Sequence, residues 1–106
     1  MDRIGMIFKI RVELKEKYMD VHTRVWPELQ QAIKEVGIKK YTSFYMEDGI
    51  IFTYLEADDF EEASEKLKEY DVKIKWENKM DKYFIKEDKS ILGPETIILP
   101  EVFNLE

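Results

Sequence analysis

The amino-acid sequence predicts an α+β fold in the order β-α-β-β-α-β, and three observations carry that prediction. A period-two run opens the chain, an Asp-Gly pair joins two further alternating runs in its middle, and segments of helical period separate these pieces.

The opening alternation covers residues 4–12. Ile4, Met6, Phe8, Ile10 and Val12 share one face and Gly5, Ile7, Lys9 and Arg11 the other, as in a strand with one buried side. From Leu14 the spacing changes. Tyr18, Val21, His22, Val25, Trp26, Leu29, Ala32, Ile33 and Val36 recur at steps of three and four, the pattern of an amphipathic helix. Gly37 stops it, where a left-handed cap is needed. Pro27 falls inside this run, and a mid-helix proline clashes with the carbonyl four residues back, here that of Thr23. The spacing therefore predicts a break across residues 23–26, with Pro27 opening a fresh helix. His22 then stands at the end of the first helix, beside a bend where side chains can point into a cleft.

Strands are predicted over residues 38–46 and 50–56, joined by Glu47-Asp48-Gly49, a strong hairpin signal. On the first of them Tyr41, Ser43 and Tyr45 share one face, and Thr42, Phe44 and Met46 the other. Asp58 or Asp59 caps a helix whose apolar positions are Phe60, Ala63, Leu67 and Tyr70. A second helical piece is expected over residues 71–85, with Val72, Trp76, Met80, Tyr83 and Phe84 periodic. After the Gly93-Pro94 turn come a last strand, residues 96–99, and a short tail. This order is that of a ferredoxin-like split β-α-β sandwich, a single domain over residues 1–106 with no repeat or linker. Helices cover only one face of such a sheet. Pairing two open faces in a homodimer, as a dimeric α/β barrel, would cover the other. Tyr41, Ser43, Tyr45, Lys9 and Arg11, mixed with Ile7, are expected to line a half-polar inner face suited to a polar ligand.

Composition narrows the function classes. Hydrophobic residues make up 44% of the 106 and charged residues 38%, enough for a core and against disorder. Net charge is −6 and the lysines are interleaved with glutamates, which argues against a nucleic-acid partner. No apolar run approaches the ~20 residues of a membrane span, and Lys9 and Arg11 interrupt the opening run, unlike a signal peptide. With no cysteine there is neither disulfide nor thiolate site, and a cytoplasmic location is expected. One histidine and scattered glycines offer no metal ligand set and no phosphate loop, so neither metal nor cofactor is expected.

His22, with Tyr18 four residues before it and Trp26 four after, admits two readings from spacing alone. It is a partly exposed residue near a helix C-terminus, or a general acid/base among hydrogen-bonding aromatic groups. Tyr18 and Tyr41 are core-edge residues or hydroxyl partners for a polyol. Trp76 fits the apolar period of its helix, and Trp26 reads as a staple for the bend. Arg11, Arg24 and Lys75 read as solvated.

The run Tyr18-x-x-x-His22-x-x-x-Trp26-Pro27-Glu28-Leu29, then Gly37 and Tyr41, resembles the L-rhamnose mutarotase family. The likeness continues through Phe52 to Glu56, Asp71-Val72, Trp76 and Met80 to Glu101-Val102-Phe103, nearly the whole chain. The resemblance implies a ferredoxin-like homodimer that interconverts the α and β anomers of L-rhamnose, a monosaccharide substrate, without a cofactor. It implies His22 as proton donor, and Tyr18, Tyr41 and Trp76 as sugar-binding residues. Two positions depart from the family pattern. Glu77 stands where a second tryptophan is usual, and Thr23-Arg24 where an Asn-Pro pair is usual. Glu77 is thereby a candidate for bonding an extra hydroxyl, and a related aldose is an alternative substrate. Two other functions fit such a scaffold: a cofactor-independent monooxygenase, with a mostly apolar cavity, and a non-catalytic sugar-binding dimer.

Overall fold

The computed structural model describes residues 1–105. In chain order the elements are β1 (Asp2–Ile10), α1 (Lys15–Val21), α2 (Pro27–Glu35), β2 (Ile38–Met46), β3 (Ile50–Ala57), α3 (Phe60–Leu67), α4 (Asp71–Met80), β4 (Phe84–Ile85) and β5 (Ile97–Leu99). The antiparallel sheet runs β2-β3-β1-β4, the ferredoxin-like order. One edge of β1 belongs to β3. Its other edge is shared: β4 pairs at Lys9 and Ile10, and β5 at Gly5, Met6 and Ile7. The fourth strand of the fold is thus two short pieces separated by a loop over residues 86–96.

Local chemistry explains the punctuation. At the hairpin Asp48 and Gly49 both have positive φ, 62° and 78°, the primed turn whose twist matches the flanking strands. Around the bend, α1 tightens into a single 3-10 turn, His22–Arg24, and then Val25 and Trp26 are extended before Pro27 takes the first position of α2. The Thr23 hydroxyl donates to the Asp20 carbonyl, and the Gln30 amide to that of Val25, so the break leaves these groups satisfied. Of the two candidate caps, Asp59 is the one used. Its carboxylate accepts from the Glu62 N–H at 3.1 Å. Asp59→Ala is expected to cost about 0.5–2 kcal/mol in a urea unfolding experiment, the usual worth of an N-cap.

Three sequence expectations are corrected. β1 ends at Ile10, and Val12 sits 54% exposed in a 3-10 turn instead of on the buried face. α4 ends at Met80, so Tyr83 and Phe84 are buried from a 3-10 turn and from β4, not from a helix. The third concerns the faces. Directly opposed residues share a face, and Tyr41, Ser43 and Tyr45 oppose Leu55, Thr53 and Ile51, which are buried beneath the helices. Lys9 and Ile7 belong to the opposite face, and Arg11 lies beyond the strand. The half-polar surface of β2 therefore faces the helices. Alternation fixes which residues of one strand go together, but only register decides which sets meet.

Two packed clusters fill the helix side. Met6, Ala32, Ile38, Leu55, Ala57, Ala63 and Leu67 join α2 and α3 to the sheet. Phe8, Ile10, Tyr18, Leu29, Ile51, Trp76, Met80, Tyr83 and Phe84 join α1, α2 and α4 to it. The second cluster borders a cavity, which Tyr18, Leu29, Trp76 and Met80 help to line. Across the open face, Phe44, Phe52, Ile7 and Ile97 form one continuous apolar row over four strands. Beyond β5, a bidentate pair between Arg3 and Glu101 (2.8–3.1 Å) holds the tail against β1.

Candidate active site

A cavity of about 640 Å³ opens between α1, α2, α4 and the helix side of β2. Tyr18, His22, Tyr41, Trp76 and Glu77, the five site residues expected from sequence, all line it.

His22 caps the C-terminus of α1 at the rim of this cavity and is an exposed residue. Its Nδ1 lies 2.8 Å from the Tyr18 carbonyl oxygen. A carbonyl only accepts, so Nδ1 carries the hydrogen and Nε2 is the nitrogen left for other partners. The imidazole packs against the Tyr18 ring at 4.3 Å and meets Trp76 edge-on at 5.8 Å. Trp26 stands edge-on to Trp76 at 5.1 Å, and the Lys79 ammonium lies over both indoles. Trp26 is not on the cavity wall. It braces the indole that is.

Tyr18 comes from α1 and is buried, 7% exposed, whereas Tyr41 comes from β2 and stays half exposed. Burial pushes the Tyr18 phenol well above its ordinary range, with Tyr41 and Glu77 adding to the rise. The Tyr41 phenol is also raised, first by loss of hydration. The Lys73 ammonium opposes that rise and the Glu77 carboxylate adds to it. Both phenols are therefore neutral near pH 7, able to donate and accept hydrogen bonds but not to act as resident phenolate bases. Deeper in, the Ser43 and Thr53 hydroxyls bond each other at 2.7 Å, which satisfies fully buried Thr53.

Glu77 is buried, 8% exposed, and its Oε1 accepts from the Lys73 ammonium at 2.8 Å. Sequence reading missed Lys73. The available signal was the set Lys73, Trp76, Glu77 and Met80, spaced i, i+3, i+4, i+7 on α4; all four line the cavity. Among the described residues no group of three or more His, Cys, Asp or Glu side chains is arranged to hold a metal ion. Among the described residues no helix is long and apolar enough to cross a membrane. An imidazole, two neutral phenols, an indole wall and a carboxylate–ammonium pair place hydrogen-bonding groups around one apolar surface.

A family model described as L-rhamnose mutarotase matches residues 3–105. The chain is 33% identical over 108 residues to the L-rhamnose mutarotase of Lactiplantibacillus plantarum, covering 100% of both proteins. It is similar to the crystal structure of an L-rhamnose mutarotase from Formosa agariphila, with a TM-score of 0.84, 26% identity and 100% of both chains covered. A dimeric ferredoxin-like protein from an uncultured marine organism matches with a TM-score of 0.66 at 16% identity over 99% of both chains, a likeness of fold alone.

Proposed function

The chain belongs to the L-rhamnose mutarotase family, enzymes that interconvert the anomers of L-rhamnose, and on that premise we propose that His22 carries the exchange by proton transfer, without a cofactor. One observation carries this reading. The only imidazole in the chain is held through Nδ1 on a backbone carbonyl, while its ring lines the same cavity as the two phenols, the indole and the carboxylate.

Anomer exchange needs a proton removed from the anomeric hydroxyl and one delivered to the ring oxygen. The bond between anomeric carbon and ring oxygen then breaks, leaving an open-chain aldehyde. Rotation about the next carbon–carbon bond presents the other aldehyde face, and re-addition of the hydroxyl reverses both transfers. Nε2 of His22, protonated, supplies the ring-oxygen proton. A water or a tyrosine hydroxyl passes on the other. Because no covalent intermediate is needed, one positioned acid/base group, with its roughly 10²–10⁴-fold effect, is a sufficient catalyst. Tyr18 and Tyr41, as neutral phenols, orient the sugar hydroxyls, and Trp76 offers its flat face to ring C–H groups or the deoxy methyl. Glu77 accepts from a sugar hydroxyl. The test is saturation-transfer NMR between the anomeric protons of L-rhamnose, with and without the protein.

The proposal extends to a homodimer paired through the open sheet face, with the cytoplasm as its compartment, in keeping with a cysteine-free chain. Phe44 is 60% exposed at one end of the apolar row and Ile97 59% exposed at the other, a surface that a second copy would cover. Light scattering is expected to give twice the 12.8 kDa chain mass, and Phe44→Lys to give the single-chain mass. A single-chain mass for the unaltered protein would contradict the pairing.

A further inference from the structure

We propose that Lys73 is a sugar-binding, specificity-determining residue, which acts with Glu77 as one donor–acceptor pair gripping two adjacent hydroxyls of the sugar ring; this deepens, and rests on, the anomer-exchange function proposed above.

The pair is built into the cavity wall. Lys73 Nζ and Glu77 Oε1 are 2.8 Å apart, with side chains 27% and 11% exposed. One bond joins them, yet an ammonium has three donors and a carboxylate about four acceptor positions, so both have capacity left for a ligand. Glu77 and Thr53 are the buried polar residues among the described ones, and Thr53 is satisfied by Ser43. Burying a carboxylate is costly, and the loss of hydration of a largely buried pair can cancel its Coulomb gain. Stability is therefore a poor reason for its presence.

The surroundings hold the carboxylate still. Gly93 approaches Glu77 so closely that a Cβ on it would lie 1.5 Å from Oε2. The Gly93 N–H donates to the Asp81 carboxylate at 3.3 Å. Asp81 is paired with the Lys86 ammonium, which also bonds the Ile91 carbonyl. The loop across residues 86–94 is thus tied down at both ends of this contact, and any larger residue at Gly93 would displace the carboxylate. The 2.8 Å bond ties the ammonium to this crowded carboxylate, and a group already placed binds with less loss of its own freedom.

Donor and acceptor at 2.8 Å match the spacing of a vicinal diol, in which one oxygen accepts from Nζ and its neighbour donates to the carboxylate. Trp76 lies between them in sequence on the same helix face, so an apolar wall and a polar clamp stand side by side. His22 touches Trp76, whereas Lys73 is three residues before it on α4, its backbone roughly 4.5 Å back along the axis. On this proposal the clamp grips ring hydroxyls other than the anomeric one. Binding made equally before and during the reaction appears in KM, not in kcat.

The test measures anomer exchange of L-rhamnose and of its analogues lacking one ring hydroxyl each, using the unaltered protein, Lys73→Met and Lys73→Gln. Lys73→Met is expected to raise KM for L-rhamnose about tenfold, with kcat within about twofold, the worth of a hydrogen bond to a charged group. Lys73→Gln, which keeps a donor, recovers part of the loss. The penalty disappears for the one analogue lacking the gripped hydroxyl. An unchanged KM, a loss confined to kcat, or the same penalty for every analogue would overturn the assignment. Should Lys73→Met fail to fold, Glu77→Gln is read on the same panel, with the adjacent hydroxyl as the expected insensitive position. If the unaltered protein fails to speed the exchange of L-rhamnose, the proposed function falls. The clamp is then judged by NMR titration of the same sugars, where Lys73→Met must weaken binding of all but one.

Discussion

Replacing His22 with alanine is expected to slow enzymatic anomer exchange roughly 10²–10⁴-fold, the range that a positioned acid/base group supplies, while sugar binding stays nearly unchanged. The separation of the two effects follows from the site. His22 is an exposed residue at a helix end, and its backbone N–H bonds the Tyr18 and Asp20 carbonyls whatever its side chain is. Alanine removes the ring and the Nδ1 bond, leaving the α1 terminus closed. Tyr18, Tyr41, Trp76 and the Lys73–Glu77 pair, the proposed sugar-binding groups, remain in the cavity. Polarimetry of dissolving α-L-rhamnose reads the rate, and protein NMR shifts read the binding. A variant that neither binds nor exchanges would assign His22 to binding instead.

Trp76→Ala is expected to be the most damaging single change to the fold around the site. The indole is 6% exposed and belongs to the cluster that joins α1, α2 and α4 to the sheet. Truncating a buried tryptophan costs about 3–5 kcal/mol, through lost transfer energy and the void left behind, a large part of a small domain's stability. The change also takes away the edge contact that holds His22 and the surface against which Trp26 rests. Urea unfolding should show the destabilisation, and the folded fraction should bind L-rhamnose more weakly. Trp76→Phe, which keeps an aromatic face, should lose less on both counts. A cost below ~1 kcal/mol for the alanine variant would show that the indole is not packed as described.

What was legible in the sequence is what neighbouring residues decide. Asp48-Gly49 makes its turn because both positions need positive φ, and Pro27 opens α2 because a proline N has no hydrogen to donate. The spacing of Tyr18, His22 and Trp26 places the imidazole at a bend beside aromatic groups, Tyr18 and Tyr41 read as candidate polyol partners, and resemblance to a family adds Trp76 and Glu77. Illegible were features set by distant pairing. Tyr41 and Ser43 turn toward the helices because of their register with Leu55 and Thr53, which no pattern within residues 38–46 reveals. β4 is two residues long, too short for alternation to mark it, and Tyr83 and Phe84 mimic a helical period by coincidence. Lys73 was lost among many lysines. Only the buried position of Glu77 and the close approach of Gly93 distinguish it.

One comparison decides whether a lone imidazole drives the reaction: selective saturation of one anomeric proton of L-rhamnose, read on the other, with equal amounts of folded wild-type protein and His22→Ala. Transfer that grows with wild-type concentration and falls to the buffer level with the variant is the predicted result. Equal transfer by both proteins would place the acid/base group elsewhere.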